Sequence, residues 1–199
     1  MRFDRYVQLI LEAIESDKFI VLVPGGFKPP TAGHMHLIAG YNNNPQIEKV
    51  IVLIGPKERE GITREQSLKI FDLYGVGKYT KVQIEATNYD NPMQAAFEFL
   101  ISDPRREEYK DYIFGMGASD KGGDEARSFS FVNYFKKNPN KLPEGFRVGV
   151  PPIIKAKQNN SKEISATDLR KAIQAGNITA IKDNIPVGVN INKFLSILR

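Results

Sequence analysis

Short apolar runs rich in β-branched residues recur along the chain with room for one helix between successive runs, and this alternation restricts the possible folds more than any other feature. The runs are 19–23 (FIVLV), 49–54 (KVIVLI), 81–85 (KVQIE), 112–114 (YIF) and 146–150 (FRVGV). The first is closed by Pro24-Gly25-Gly26 and is apolar throughout, the pattern of a strand covered on both faces. Helical periodicity falls near 33–41, 63–75, 92–102, 124–137 and 166–175. Strands alternating with helices build right-handed βαβ units and so an open parallel sheet. Such sheets bind ligands beyond the carboxyl ends of their strands, where the strand order reverses. The loops that follow strands are therefore where chemistry is expected.

The expected fold class is α/β, a Rossmann-like open parallel sheet of about five strands with helices on both faces. A length of 199 residues suits one domain, with its core over about 19–175. An additional amphipathic helix is expected over 3–16, carried by Phe3, Val7, Ile10, Leu11 and Ile14, and a helical extension over 176–199. With 41% hydrophobic and 26% charged residues the chain has the make-up of a packed soluble protein, which excludes disordered and collagen-like classes. The absence of cysteine excludes disulfides, thiolate zinc sites and a cysteine nucleophile, and suits a reducing compartment. Charges scattered through the first 18 residues exclude a signal peptide or a membrane span there. The expectation is a cytoplasmic protein with no membrane partner.

A formal charge of +5 favours an anionic partner but does not separate a nucleic acid from a phosphorylated small molecule, since both attract the same side chains. The basic residues are spread along the chain, so nucleic acid is the less favoured of the two. The polar stretch 155–163 (KAKQNNSKE), set between a strand and a helix, is the best candidate for a mobile loop.

The loop after the first strand reads Pro24-Gly25-Gly26-Phe27-Lys28-Pro29-Pro30-Thr31-Ala32-Gly33-His34. Adjacent glycines let backbone N–H groups approach an anion, and a helix starting near Gly33 adds the positive end of its dipole. His34, in the first turn of that helix, can donate to a phosphoryl oxygen, and Thr31 offers a hydroxyl. A second anion-binding helix end is readable at Ile164-Ser165-Ala166-Thr167-Asp168-Leu169-Arg170. There Ser165 is a natural N-cap with Asp168 three residues on, and Arg170 follows one turn into the helix.

The stretch Gly25 to Leu37, G-x-F-x-P-x-T-x-G-H-x-x-L, resembles the (H/T)xGH signature of the nucleotidyltransferase superfamily, and its Thr form is similar to that of phosphopantetheine adenylyltransferases. Residues 164–170 resemble the ISxTxxR signature of the same superfamily. The resemblance implies transfer of a nucleotidyl group from ATP or CTP to an acceptor phosphate, with pyrophosphate released. It places the triphosphate on Gly25, Gly26, Phe27, Thr31, Gly33 and His34 and on Ser165, Thr167 and Arg170. His34, a basic residue such as Lys57, and Arg170 would be catalytic, with Mg²⁺ carried by the NTP phosphates and no protein metal ligands. The ISxTxxR form is similar to the adenylyl branch. Between the first glycine and the phenylalanine, pantetheine-phosphate enzymes carry threonine and nicotinamide-mononucleotide enzymes usually arginine; here Gly26 supplies no side chain to a phosphate, which leaves the acceptor open.

The loop after the second strand, 55–66, contains a capping box of Thr63 and Gln66 and two cations, Lys57 and Arg59, either of which could match the lysine that reaches the reacting phosphates in related adenylyltransferases. The loop after the fourth strand, Gly115-Met116-Gly117-Ala118-Ser119-Asp120, resembles a dinucleotide fingerprint, but its third glycine position holds Asp120. It is more similar to the superfamily's G-x-D segment, which puts Gly115 and Asp120 near the base and ribose. Arg127, on the next helix, is a further candidate phosphate ligand; with Lys57 and Arg59 it forms the acceptor-binding set. His36 stands two residues from His34 and points away from it on a helix, against a two-histidine metal site. Phe129, Phe131, Tyr134 and Phe135 read as core. An aminoacyl-tRNA-synthetase-like activator would need a KMSKS-type loop, which the chain lacks. The remaining alternative is a non-catalytic basic module that binds nucleotides or nucleic acid. A homo-oligomer is open.

Overall fold

The computed structural model describes residues 18–159 and 162–199. The helix expected over 3–16 lies outside them. Five parallel strands, β1 (Phe19–Gly25), β2 (Ile47–Ile54), β3 (Val82–Ala86), β4 (Ile113–Met116) and β5 (Arg147–Val148), form one sheet in the order β3-β2-β1-β4-β5. The intervening helices are α1 (Ala32–Asn42), α2 (Arg64–Leu73), α3 (Pro92–Ile101) and α4 (Glu125–Lys137). Each lies within a few residues of the predicted segment. The last strand is shorter than its apolar run because the chain leaves the ladder at Gly149.

Strand order follows from how alternate side chains are covered. Along β1, Ile20 and Leu22 join Ile51, Leu53, Phe114 and Met116 under α3 and α4, where Ala95, Phe99, Phe131 and Phe135 fill the layer. Val21 and Val23 face the other way, with Val50, Val52 and Ile54, onto Met35, Ile38 and Tyr41 of α1 and Phe71 of α2. Both faces of the central strands are therefore dry, which is why their sequences read as continuous apolar runs instead of alternating ones. The chain lays β2 and β3 on one side of β1, then crosses to lay β4 and β5 on the other. The strand order thus reverses between β1 and β4, and the crevice at their carboxyl ends is the ligand position of doubly wound sheets.

Of the aromatic group on α4, Phe131 and Phe135 are buried as expected, whereas Phe129 is 50% exposed and is not core. Beside the expected loop, β6 (Gln158–Asn159) and β7 (Lys162–Glu163) pair as a short antiparallel ladder. After it come α5 (Ala166–Gln174), α6 (Ile178–Asn184) and α7 (Ile191–Ile197). These share a third core with the outer face of α2, built from Ile70, Leu169, Ala172, Ile181, Ile185 and Phe194. No helix among the described residues is long and apolar enough to cross a membrane.

Gly115 lies inside β4, and a Cβ there would stand 2.7 Å from the Gly149 carbonyl oxygen and 2.6 Å from Pro151 Cδ. Backbone cannot yield as a flexible side chain does. Gly115→Ala is therefore expected to destabilise the fold by about 1–3 kcal/mol, the usual cost of overpacking, measurable as a lower denaturation midpoint in urea. A midpoint equal to that of the unsubstituted chain would show that β5 shifts freely.

Candidate active site

The loop from β1 to α1 is folded back on itself around Phe27. Phe27 adopts a φ of 48° and is 5% exposed. Its ring meets His34 edge-on at 4.9 Å and Phe71 at 5.5 Å. A Cβ on Gly25 would lie 2.7 Å from that ring, so only glycine fits beneath it. Phe27 and Gly25 therefore shape the loop through packing, while Gly26 beside them is exposed.

Thr31 is the N-cap of α1, and its hydroxyl accepts from the His34 N–H at 3.3 Å. The Thr31 backbone N–H in turn donates to His34 Nδ1 at 3.0 Å. This is a capping box with histidine in the place usually held by Glu or Gln. Because a backbone N–H can only donate, Nδ1 is the acceptor and the neutral ring carries its proton on Nε2. Thr31 is 1% exposed. Its hydroxyl, expected on a phosphate, caps the helix here, and Thr31 also lines the hollow beside the cleft.

His34 is half-buried overall, and enclosure of its ring, with a smaller contribution from the Lys121 charge, lowers its pKa from 6.5 to about 4. The imidazole is therefore neutral near pH 7. In the unfolded chain the ring protonates first as pH falls, so its contribution to stability is complete above about 6.5 and is lost as pH drops from there toward 4, by up to about 1.4 kcal/mol per pH unit. Unfolding measured between pH 7 and pH 4 should show a shallower loss of stability in His34→Gln than in the unsubstituted chain. Parallel curves would mean that His34 is not held neutral.

The ISxTxxR segment starts α5. The Ser165 hydroxyl accepts from the Thr167 N–H at 3.2 Å, so the cap closes on the second helical residue, one earlier than the expected Asp168. Thr167 Oγ1 accepts from Arg170 Nη2 at 3.1 Å. Arg170 is 5% exposed. Its Nη1 donates to the Lys28 carbonyl at 3.0 Å, tying α5 to the β1–α1 loop. Glu60 Oε1 stands 2.8 Å from Arg170 Nε, an ion pair off the N–H axis that leaves Nε without an aligned hydrogen bond. Glu60 occupies a tight turn closed by reciprocal Arg59–Ile62 backbone hydrogen bonds, with φ of 51° at Glu60 and 77° at Gly61.

A cleft of about 240 Å³ at the carboxyl edge of β1 and β4 is lined by Gly25, Gly26, Phe27, His34, Arg127 and Arg170 together with Arg59. Beside it a hollow of similar size is lined by Thr31, Gly33, His34, Lys121, Arg127, Lys155 and Lys157. Ala166, at the start of α5, lines both. The two distant motifs thus open onto one space. Arg127 also pairs with Asp124 at 3.4 Å. Lys57 does not line this cleft; it is exposed in a neighbouring hollow of about 200 Å³. Gly115 stays inside the sheet, and it is Gly117, two residues on, that lines the cleft. Asp120 does not line it either: its Oδ1 accepts from the Ala156 N–H at 2.6 Å and pins the 154–157 segment. His36 Nε2 lies 3.1 Å from the Lys155 carbonyl, away from His34.

Residues at the site that sequence reading missed are Lys28, Glu60, Lys121, Ser119 and Asp124. Lys121 Nζ donates to the Ile164 carbonyl at 2.7 Å, joining the β4 loop to the approach of α5. Of these, only Lys28 had a readable signal, as a charged residue inside an otherwise apolar and glycine-rich loop. The others depend on how loops from different strands converge.

No family model and no curated protein matches the chain. Solved structures do. The Plasmodium falciparum nicotinic acid mononucleotide adenylyltransferase complexed with APC superposes with a TM-score of 0.56 at 16% identity, covering 91% of this chain and 94% of that one. A bifunctional NMN adenylyltransferase/ADP ribose pyrophosphatase from Francisella tularensis, complexed with AMP and a manganese ion, gives 0.54 at 17% identity, covering 90% of this chain and 48% of that one. The chain thus has the α/β fold on which these nicotinate and NMN adenylyltransferases are built.

Proposed function

We propose that the chain is a nucleotidyltransferase that moves an adenylyl or cytidylyl group from an NTP to a small phosphorylated acceptor and releases pyrophosphate. The observation that carries the reading is that His34 and Arg170, from opposite ends of the chain, line one cleft with Gly25 and Gly26 where the strand order reverses. An oxygen of the acceptor phosphate attacks the α-phosphorus, the bond to the β-bridging oxygen breaks, and its electron pair leaves with pyrophosphate. The nucleophile is already an anion, so no general base is required. What the site must supply is position and charge. His34 Nε2–H donates from a neutral ring, and the Arg170 guanidinium and the α5 N-terminus face the polyphosphate.

Among the described residues no group of three or more His, Cys, Asp or Glu is placed to hold a metal. Mg²⁺ would arrive on the triphosphate, where it neutralises phosphate charge. The Francisella structure holds manganese, but the match spans under half of that chain, so the ion is not assigned to the shared part. ATP is the preferred donor, and mononucleotides of the nicotinate type are the first acceptors to try, because both solved relatives bear those names.

The test is pyrophosphate release from ATP or CTP, each offered with a panel of acceptors: nicotinate and nicotinamide mononucleotides, phosphopantetheine, and simple sugar and polyol phosphates. Release that requires both an NTP and one acceptor is expected. No acceptor-dependent release from any pair would overturn the reading.

A further inference from the structure

Lys28 is 3% exposed. Its Nζ donates to the Gly55 carbonyl at 2.7 Å, and that oxygen is the single acceptor it reaches among the described residues, although an ammonium has three N–H groups. Burial lowers its pKa, and the charges of Arg64 and Arg59 press in the same direction, with Glu65 alone opposing them. A buried cation with one neutral hydrogen-bond partner, under two guanidinium charges and one carboxylate, sits in an excess of positive charge. Such a group is a strong seat for an anion.

Its position says which anion. The cleft holding His34 and Arg170 and the hollow holding Gly55, Lys57, Glu58, Asp90 and Pro92 share three lining residues, Gly26, Lys28 and Arg59. Lys28 therefore stands where the two spaces meet. In-line transfer needs the attacking oxygen and the leaving oxygen on opposite sides of the α-phosphorus, hence a donor cleft and an acceptor space that touch at one point. Glu58 and Asp90 offset the exposed Lys57 in the rest of the second hollow, so the densest positive charge for a phosphate lies at Lys28 and Arg59. We propose that Lys28 grips the phosphate of the acceptor, with the Gly55–Asp90 hollow as the acceptor subsite, in the role that the sequence assigns to Lys57. This rests on the transfer reading above.

Binding without turnover tests it. The intact chain and its Lys28→Met and Lys57→Met variants are titrated with α,β-methylene ATP, and then with inorganic phosphate at saturating analogue. Lys28→Met is expected to weaken phosphate about tenfold or more, the scale of a charge-assisted hydrogen bond. It should leave the analogue within about threefold, and Lys57→Met should change phosphate affinity less than threefold. The melting temperature of Lys28→Met should stay level or rise, because an uncompensated buried charge is replaced by an apolar chain of similar length.

Unchanged phosphate affinity in Lys28→Met overturns the proposal. So does loss of analogue affinity with phosphate unaffected, which would put Lys28 in the donor cleft. A fall in melting temperature of more than about 5 °C also overturns it, since Lys28 would then be a strut to Gly55. If the unsubstituted chain binds phosphate through Lys28 but releases no pyrophosphate with any acceptor, the transfer reading and the acceptor role fail together, and Lys28 is left as an anion seat alone.

Discussion

If the chain transfers nucleotidyl groups as proposed, His34→Ala is expected to lower the rate by about 10²–10³, the usual cost of removing one preorganised donor from a developing oxyanion. The size of the loss follows from how the ring is held. Thr31 fixes Nδ1 as acceptor, Phe27 closes one side of the ring, and burial keeps it neutral, so Nε2–H is the one polar group left to meet a ligand. Alanine also removes the histidine half of the capping box, which costs about 1 kcal/mol of stability. His34→Gln separates the two effects. Glutamine is the ordinary partner at that position of a capping box, so the helix start is retained while the donor moves away from the phosphoryl position. Both variants should lose rate, and only His34→Ala should lose appreciable stability. Turnover of His34→Gln within twofold of the unsubstituted chain, with the acceptor that supports pyrophosphate release, would remove His34 from the mechanism.

The centre of the sheet was legible because its strands are buried on both faces, and double burial writes itself into sequence as runs such as FIVLV. The two glycine- and hydroxyl-containing helix starts were legible for a related reason: caps and tight turns restrict residue type locally. What sequence could not supply is which loop groups meet. Lys57 and Lys28 are both basic residues after a strand, yet one is exposed in a side hollow and the other is buried where two hollows join. That difference follows the path of the 55–62 segment, which is closed by the Arg59–Ile62 backbone hydrogen bonds and meets Arg170 through Glu60, more than a hundred residues away. Asp120 shows the same limit. Its place after β4 suggests a ribose contact, but the neighbouring Ser119–Ile154 bridge brings the Ala156 N–H within its reach, and a local backbone bond takes the carboxylate. Thr31 shows it as well: its hydroxyl accepts the His34 backbone N–H as the helix cap, while its backbone N–H holds the His34 ring at Nδ1.

Phe194→Ala is expected to cost about 3–5 kcal/mol of stability, as for other fully enclosed aromatic side chains reduced to alanine. Phe194, on α7, is 0% exposed and packs parallel to Tyr74 at 6.3 Å, in the core that also holds Ile70, Leu169, Ala172 and Ile181. The C-terminal helices are therefore not an appendage. Leu169 and Ala172 flank Arg170 on α5, and the Tyr74 hydroxyl donates to the Pro30 carbonyl at 3.2 Å, one residue before the cap that orients His34. A cavity at Phe194 loosens the support behind both motifs at once. Urea unfolding should show the loss, while Val187→Ala, at a side chain 97% exposed between α6 and α7, should stay within about 0.5 kcal/mol. Transfer by Phe194→Ala should fall under conditions where the chain is still folded, because Arg170 and the β1–α1 loop lose their fixed spacing. If stability drops by less than 1 kcal/mol, the third core does not clamp α5, and the position of Arg170 must rest on its bonds to Lys28, Thr167 and Glu60 alone.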